Sequence, residues 1–221
     1  MRLPTQRESF KKKFNVSCET MVLFDLYIKI LLTEQKKNNL IGPGTLDKIW
    51  SRHFYDSAVL LDLIEYELPK FKTKKSYTLI DVGSGAGFPG LVLSILLTEK
   101  KLGLNVYLVD SNNKKILFLK KVAENLGLKV NLINERAENV KNKIFDFVVS
   151  RAVAPLDKLL RIIFPLTNSQ TTLILHKGKS WKKEFGIIKK KWKLGSLIVK
   201  NNEDVENSEG VILIIKNLTP V

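Results

Sequence analysis

The feature that most constrains this 221-residue chain is the segment 79–90, which reads LIDVGSGAGFPG. The apolar run that ends at Val82 is typical of a buried strand. Four glycines follow it before a second apolar run begins at Leu91. Because glycine has no Cβ, such a turn can adopt positive φ and its backbone can approach a ligand closely. The segment predicts a corner where a strand, a glycine turn and a helix meet a ligand.

A carboxylate follows the next predicted strand: Asp110 lies twenty positions after Gly90. In nucleotide-binding corners an acid at this point accepts hydrogen bonds from ribose hydroxyls. The alternative is a cap for the following helix, because Asp-Ser-Asn-Asn is good capping sequence. We favour the ribose role, so the corner is predicted to bind a nucleoside-bearing cofactor.

The glycine spacing alone leaves that cofactor open, because Gly85, Gly87 and Gly90 also fit the dinucleotide fingerprint. Two features favour S-adenosylmethionine over NAD. Asp81 stands at the strand end as in the methyltransferase pattern D-x-G-x-G-x-G, and Pro89 removes a backbone N–H that a pyrophosphate could use. Asp81 itself is equally well explained as a cofactor ligand or as a cap of the glycine turn.

Strands and helices alternate from Tyr77 onward, which indicates a parallel sheet. The predicted strands are residues 78–82, 105–110, 130–134, 145–150, 171–176, 196–200 and 211–216, and the helices between them are 90–101, 114–126 and 155–166. The last two strands are joined by the polar loop 201–210 and are expected to pair antiparallel. We therefore predict an α/β, Rossmann-like class I S-adenosylmethionine-dependent methyltransferase fold with a seven-stranded, mostly parallel sheet.

Residues 1–72 are predicted to form an N-terminal helical extension packed on a catalytic domain of residues 73–221, with a basic linker at 70–76. An apolar-rich helix is expected at 19–36. A second helix is expected at 46–68, with Thr45 as its N-cap. Its apolar residues recur at spacings of three and four, which places them on one face of the helix. 

After the third strand, Ala137 and Glu138 are placed where an adenine ring is expected, and their backbone groups could contact the base edge. The start of a surface helix is an equal alternative.

A net charge of +15 indicates a polyanionic partner, and nucleic acid is the favoured one. The single cysteine, Cys18, excludes a disulfide framework and a multi-cysteine zinc site, and we expect no metal. No apolar run reaches the roughly 20 residues that span a bilayer, and the first residues do not resemble a secretory signal. A cytoplasmic monomer is the expectation.

Two basic segments are candidate RNA surfaces. The first carries two tryptophans, Trp181 and Trp192, which either stack on bases or are buried; burial is favoured. Its lysines are Lys177, Lys179, Lys182, Lys183, Lys189, Lys190, Lys191 and Lys193, with Glu184 as the one opposing acid. The second segment, interpreted as a flexible arm, contains Arg2, Arg7, Lys11, Lys12 and Lys13.

Several polar residues are candidates for the reaction site. Arg151, after the fourth strand, could bind guanine O6, a phosphate or the cofactor carboxylate, or form a structural salt bridge. Arg52 and His53 could face the pocket or a phosphate; equally, His53 and Asp56 could only tie their helix to the sheet. Lys177 is a candidate for an RNA phosphate, and His176 is expected to be structural.

The motifs DVGSGAGFPG, LVDSNNKKILFLKKV, FDFVVSRAVAPL and LHKG, in this order, resemble the RsmG (GidB) family. Upstream, NNLIGPGTLDKIWSRHFYDSAVL is similar to the family's helical segment with its R-H-x-x-D-S element. The resemblance implies methyl transfer from S-adenosylmethionine to guanine N7 in the decoding region of 16S rRNA, with the rRNA or the small subunit as partner. It also implies that Gly83 and Phe88 border the cofactor and that Ala137 and Glu138 contact it. Arg151 matches the arginine that the family has after its fourth strand.

The residues agree with chemistry that needs no general base, since guanine N7 carries a lone pair and no proton. The Asp/Asn-Pro-Pro-aromatic motif of amine methylation is replaced by Ser150-Arg151-Ala152-Val153. Methylation at pyrimidine C5 needs a thiol nucleophile near the cofactor, and the single cysteine, Cys18, is remote from the motifs. Arg151 and Lys177 are thus predicted to position the reactants. The alternatives are a catalytically inactive RNA-binding ribosome-assembly factor and an NAD-dependent oxidoreductase.

Overall fold

The computed structural model describes residues 3–70, 76–201 and 210–221, and in this part of the chain a seven-stranded sheet carries helices on both faces. The strands are β1 Tyr77–Val82, β2 Leu104–Val109, β3 Val130–Ile133, β4 Phe147–Arg151, β5 Thr172–Lys177, β6 Trp192–Asn201 and β7 Val211–Pro220. Their order in the sheet is β3-β2-β1-β4-β5-β7-β6. The first five are parallel, and β7 is antiparallel to both β5 and β6. The predicted fold class is confirmed.

Seven α-helices surround this sheet in the described residues: α1 Leu3–Phe14, α2 Cys18–Asn38, α3 Asp56–Glu67, α4 Gly90–Glu99, α5 Asn113–Leu126, α6 Leu156–Ile163 and α7 Trp181–Ile188. One face of the sheet packs against α1 to α5 and the other against α6 and α7. No helix in these ranges is apolar over the length that crossing a bilayer requires.

The N-terminal helices share one hydrophobic core with the sheet. Phe10, Phe24 and Phe54 are almost fully buried and belong to the same core cluster as Leu79 and Phe147 of the strands. The boundary predicted at 72/73 and most of the linker 70–76 lie outside the described residues, as does most of the loop 201–210. The division into two domains therefore stays a prediction.

The segment predicted as a helix at 46–68 is helical along its length, but it is not a single α-helix. A 3₁₀-helix, Pro43–Lys48, is followed by a π-helix, Trp50–Tyr55, and only then by α3. Gly42, not Thr45, precedes the first turn, so Thr45 is not the N-cap. The periodicity of apolar residues does not distinguish these helix types over so few turns.

The predicted flexible arm is also corrected, because its described residues belong to α1. Arg7 is ion-paired with Asp25 of α2 at 2.7 Å, and Phe10 and Phe14 are buried. Arg2 lies outside the described residues. The helix is therefore fixed to the fold through an apolar face and a charged contact.

Candidate cofactor site

The glycine turn between β1 and α4 has the predicted backbone conformation. Gly83, Gly85 and Gly87 all have positive φ, between 55° and 89°. At Gly83 a Cβ would lie 2.4 Å from Val153 Cγ2, and at Gly87 it would lie 2.5 Å from the Tyr27 hydroxyl. Only glycine fits these two positions, because both the conformation and the surrounding atoms exclude a side chain.

The N–H groups of the turn are already used within the protein. Gly83 and Ser84 both donate to Val109 O, at 2.9 and 3.1 Å, and Gly87 donates to Ser84 O. Two further N–H groups donate to carboxylates, those of Gly85 and Gly90. Few donors are left for a phosphate, and Pro89 has none. The turn therefore suits a cofactor without a pyrophosphate better than a dinucleotide.

Asp81 is fully buried and caps the turn. Its Oδ2 accepts from the Gly90 N–H at 2.9 Å, at the start of α4, while Oδ1 has no hydrogen-bond partner. Burial raises the pKa of the carboxyl to about 7. The sequence left two interpretations of Asp81 open, a cofactor ligand and a cap of the turn. The hydrogen bond from Gly90 supports the cap, and a contact with the cofactor stays a prediction.

Asp110 lies at the carboxyl end of β2 and lines the cavity. Its Oδ2 accepts from the Gly85 N–H at 3.0 Å, and its Oδ1 accepts from the Asn112 N–H at 2.9 Å. The helix cap is Asn112, whose side chain accepts from the Lys114 N–H. Two backbone N–H groups thus hold the Asp110 carboxylate beside the cavity, and its role as a ribose acceptor stays a prediction.

A cavity of about 290 Å³ opens where β1, β2, β3 and β4 end, at the switch point of the strand order. Four of the predicted cofactor residues line it: Gly83, Asp110, Ala137 and Glu138. The other lining residues include Val82, Val109, Ser111, Lys115, Glu135, Arg136, Ala152, Val153, Ala154, Lys158 and Ile162. A mixture of apolar walls, a fixed carboxylate and nearby cations suits an adenosine that carries an amino-acid tail.

Phe88 points away from this cavity. Its ring stacks on Tyr27 with centroids 5.5 Å apart and meets Phe54 edge-on at 5.3 Å. The Tyr27 hydroxyl donates to Ala86 O, so α2 holds the glycine turn from behind. Phe88 therefore supports the turn, and its predicted contact with the cofactor stays a prediction.

Arg151 connects the end of β4 to the π-helix. Its Nη1 donates to Arg52 O at 2.7 Å and approaches Asp56 Oδ2 at 3.5 Å, and its Nη2 donates to His53 Nδ1 at 2.6 Å. From the end of β5, His176 Nε2 donates to Asp56 O at 2.7 Å. These contacts are the tie between helix and sheet that the sequence offered as one alternative.

Hydrogen bonds fix the position of the proton on His53, and burial keeps both His53 and His176 neutral. A guanidinium can only donate, so His53 Nδ1 is an acceptor and Nε2 carries the proton toward Thr45 Oγ1 at 2.8 Å. Burial, with help from the Arg151 charge, lowers the pKa of both His53 and His176 to about 3. Burial also lowers the pKa of Arg151. Both imidazoles are therefore neutral at physiological pH.

Lys177 is not an exposed cation. Its side chain is 8% exposed, and its amine contacts Ala154 O at 2.9 Å and Glu184 at 2.7 Å. Direct contact with RNA stays a prediction for Lys177, and the same is true of Arg52, which is exposed, and His53, which is buried.

The remaining lysines of the first basic segment lie on or near α7. The exposed ones are Lys179, Lys182, Lys183, Lys189, Lys190, Lys191 and Lys193. Trp192 is buried, with its Nε1 3.3 Å from Asp157 Oδ1, and Trp181 is half-buried beside Phe185. The favoured interpretation of Trp192 is therefore confirmed.

Three residues near the turn and the cavity come from other segments and were not among the predicted site residues. Tyr27 bonds to the turn, Lys158 lines the cavity and Glu184 bonds to the start of α6, yet none belongs to the glycine motif. Glu184 carried one signal, as the single acid among lysines. Across residues 3–70, 76–201 and 210–221, no group of three or more His, Cys, Asp or Glu side chains is placed to hold a metal ion.

Solved structures of low sequence identity share this fold. A 16S rRNA N2 G1207 methyltransferase of T. thermophilus, in complex with AdoMet and guanosine, superposes with a TM-score of 0.54 at 17% identity. The match covers 73% of this chain and 42% of that one. The likeness shows that this chain has the fold of the class I S-adenosylmethionine-dependent methyltransferases.

The sequence comparisons define the family within that class. The model of the family rRNA small subunit methyltransferase G matches residues 21–212. A ribosomal RNA small subunit methyltransferase G of Zymomonas mobilis is 35% identical over 205 residues, covering 93% of this chain and 89% of the relative. One from Paramagnetospirillum magneticum is 37% identical and covers 85% of each chain. The chain belongs to this family, as its motifs predicted.

Proposed function

We propose that this protein transfers a methyl group from S-adenosylmethionine to N7 of a guanine in the decoding region of 16S rRNA. The observation that carries the proposal is the cavity at the carboxyl ends of β1 to β4, in a chain that belongs to a family of small-subunit rRNA methyltransferases. The guanine position and the decoding region rest on the family resemblance of the motifs.

The lining residues fit the cofactor. The Asp110 carboxylate would accept from the ribose hydroxyls, the backbone of Ala137 and Glu138 would meet the adenine edge, and Gly83 would allow close approach. When bound, S-adenosylmethionine supplies an electrophilic methyl group on a sulfonium centre.

Methylation at N7 places modest chemical demands on the protein. The target nitrogen has a free lone pair, so no side chain has to remove a proton or form a covalent intermediate. The protein must orient the base and exclude water, which can lower a barrier by roughly 7–11 kcal/mol. The neutral histidines and the internally bonded Arg151 agree with a site that positions rather than exchanges protons.

RNA is the proposed partner, in the form of free 16S rRNA or the small ribosomal subunit, and the exposed lysines near α7 are the proposed contact surface. A net charge of +15 supports this surface. A monomer that acts in the cytoplasm, with no metal and no membrane, completes the proposal.

The test is methyl transfer to purified small subunits. The protein is incubated with S-adenosylmethionine carrying a labelled methyl group, and modified bases are mapped along the 16S rRNA. Label at N7 of one decoding-region guanine is the expected result. Binding without label would favour the assembly factor, and label at another atom would contradict the N7 assignment.

A further inference from the structure

The loop between β4 and α6, residues 152–155, forms one wall of the cavity. Ala152, Val153 and Ala154 all line it. Ala152 has a φ of +56°, in the left-handed region that a residue with a Cβ rarely occupies. Such a conformation persists only where surrounding contacts enforce it. The loop therefore needs support from outside its own sequence.

Lys177 and Glu184 provide contacts at the far end of this loop. The Lys177 amine lies 2.9 Å from Ala154 O and 2.7 Å from Glu184 Oε2. The same carboxylate oxygen accepts from the N–H of Leu156, the first residue of α6, at 2.7 Å. One ion pair thus joins the end of β5, the loop and the start of α6.

The pair is shielded from water. The Lys177 and Glu184 side chains are 8% and 16% exposed, and the Ser180 hydroxyl donates to the second oxygen of the carboxylate. Burial alone would raise the pKa of Glu184, but hydrogen bonds from Lys177, Ser180 and Leu156 outweigh it, so the pKa is lowered. The carboxylate is therefore ionised at neutral pH.

We propose that Glu184 and Lys177 are positioning residues that hold the loop 152–155 against the cavity in the conformation that methyl transfer requires. The inference rests on the proposed function for its reaction, but its contacts are independent of that function. It gives Lys177 an indirect role, through Ala154, in place of a direct contact with RNA.

Amide hydrogen exchange tests the clamp without any reaction. Glu184→Ala removes the acceptor of the Leu156 N–H, so exchange at this amide should accelerate by about tenfold or more. The matched control is Glu124→Ala, which removes a carboxylate from an exposed pair with Lys120 at 3.8 Å on α5. The control should leave Leu156 unchanged. Equal exchange at Leu156 in all three proteins would overturn the proposal.

Steady-state kinetics test the positioning role. For Glu184→Ala we expect kcat to fall by about 10- to 100-fold, because small misplacements of reactants are costly. The KM for RNA and the affinity for S-adenosylmethionine should change by less than about threefold. A raised KM for RNA with unchanged kcat in Lys177→Met would instead indicate direct phosphate contact and overturn the indirect role.

A double variant separates positioning from folding. Lys177→Met with Glu184→Leu leaves no unpaired buried charge, so its Tm should return toward that of the wild type. Its kcat should stay low, because nothing then holds Ala154 and Leu156. Recovery of kcat together with Tm would show a purely structural pair. If the wild type itself transfers no methyl group to RNA, the proposed function fails, and the exchange at Leu156 still decides the clamp.

Discussion

At the residue scale, the two carboxylates of the glycine turn are placed for different tasks. Asp81 is fully buried and bonds the first N–H of α4, whereas Asp110 lines the cavity and bonds Gly85. Asp81 therefore shapes the turn, and Asp110 is the carboxylate that faces the cavity.

Gly83→Ala should abolish the binding of S-adenosylmethionine. The new Cβ would lie 2.4 Å from Val153 Cγ2 at a φ of 72°, so it would displace the cavity wall. We expect a loss of affinity of at least about 100-fold, measured by isothermal titration. Gly103→Ala is the control, since nothing lies within 4 Å of its Cβ. Unchanged affinity in Gly83→Ala would refute the placement of the cofactor.

At the element scale, the π-helix joins the N-terminal helices to the catalytic end of the sheet. The carbonyl of Arg52, within the π-helix, accepts from Arg151 of β4, and the carbonyl of Asp56, which follows it, accepts from His176 of β5. Such short π-segments are frequent at functional sites. Here the segment contacts the end of β4, where the loop 152–155 begins, and Asp56 beside it contacts the end of β5.

Acid should weaken this junction through its histidines. The folded pKa of each, about 3, lies below the ordinary value of 6.5, so between these values the unfolded chain binds the additional proton. Each histidine therefore makes stability fall as pH decreases from 6.5, by up to about 1.4 kcal/mol per pH unit. Asp81, with a pKa raised to about 7, acts in the opposite direction and offsets one histidine between pH 5 and 6.5.

His176→Gln should consequently change the pH dependence of stability. Over pH 5 to 6.5 its free energy of unfolding, from urea titrations, should depend less on pH than that of the wild type, by up to about 1.4 kcal/mol per unit at the acid end of this range. His53→Gln should give the same change. Parallel curves for wild type and His176→Gln would mean that His176 is protonated as easily in the folded protein as in the unfolded chain.

At the scale of the whole molecule, excess positive charge is the property that matters for RNA. The net charge is +15, and several exposed lysines cluster near α7 on one side of the sheet. Lysine pairs with phosphate as a compact point charge, so many such contacts add affinity without reading sequence. Under the proposed function, the base is therefore chosen at the cavity, and the exposed lysines supply affinity for any RNA.

RNA binding should be strongly dependent on salt. If about six phosphates are contacted, log K should fall against log salt with a slope of about −4 to −5. Replacing Lys182 and Lys183 with Gln should make the slope shallower by about 1.4 to 1.8. The same change at Lys29 of α2 and Lys129, in the loop before β3, should leave the slope unaltered, since both are exposed away from α7. An equal loss in both pairs would place the RNA elsewhere.

Most of the fold could be predicted from the sequence because its signals are local. The glycine turn, the acid after β2 and the alternation of strands and helices each depend on a few adjacent residues. Contacts between distant segments could not be predicted in this way. Phe88 turns toward Tyr27, Arg151 toward the π-helix, and Lys177 toward Glu184, and each direction is decided by a partner that is remote in sequence or on another element.

The most direct test of the central claim is a crystal structure of the protein with S-adenosylmethionine bound. We expect the ribose hydroxyls on the Asp110 carboxylate and the adenine against Ala137 and Glu138, in the cavity that Val153 also lines. An empty cavity at saturating cofactor, or a cofactor bound away from Gly83, would contradict the account.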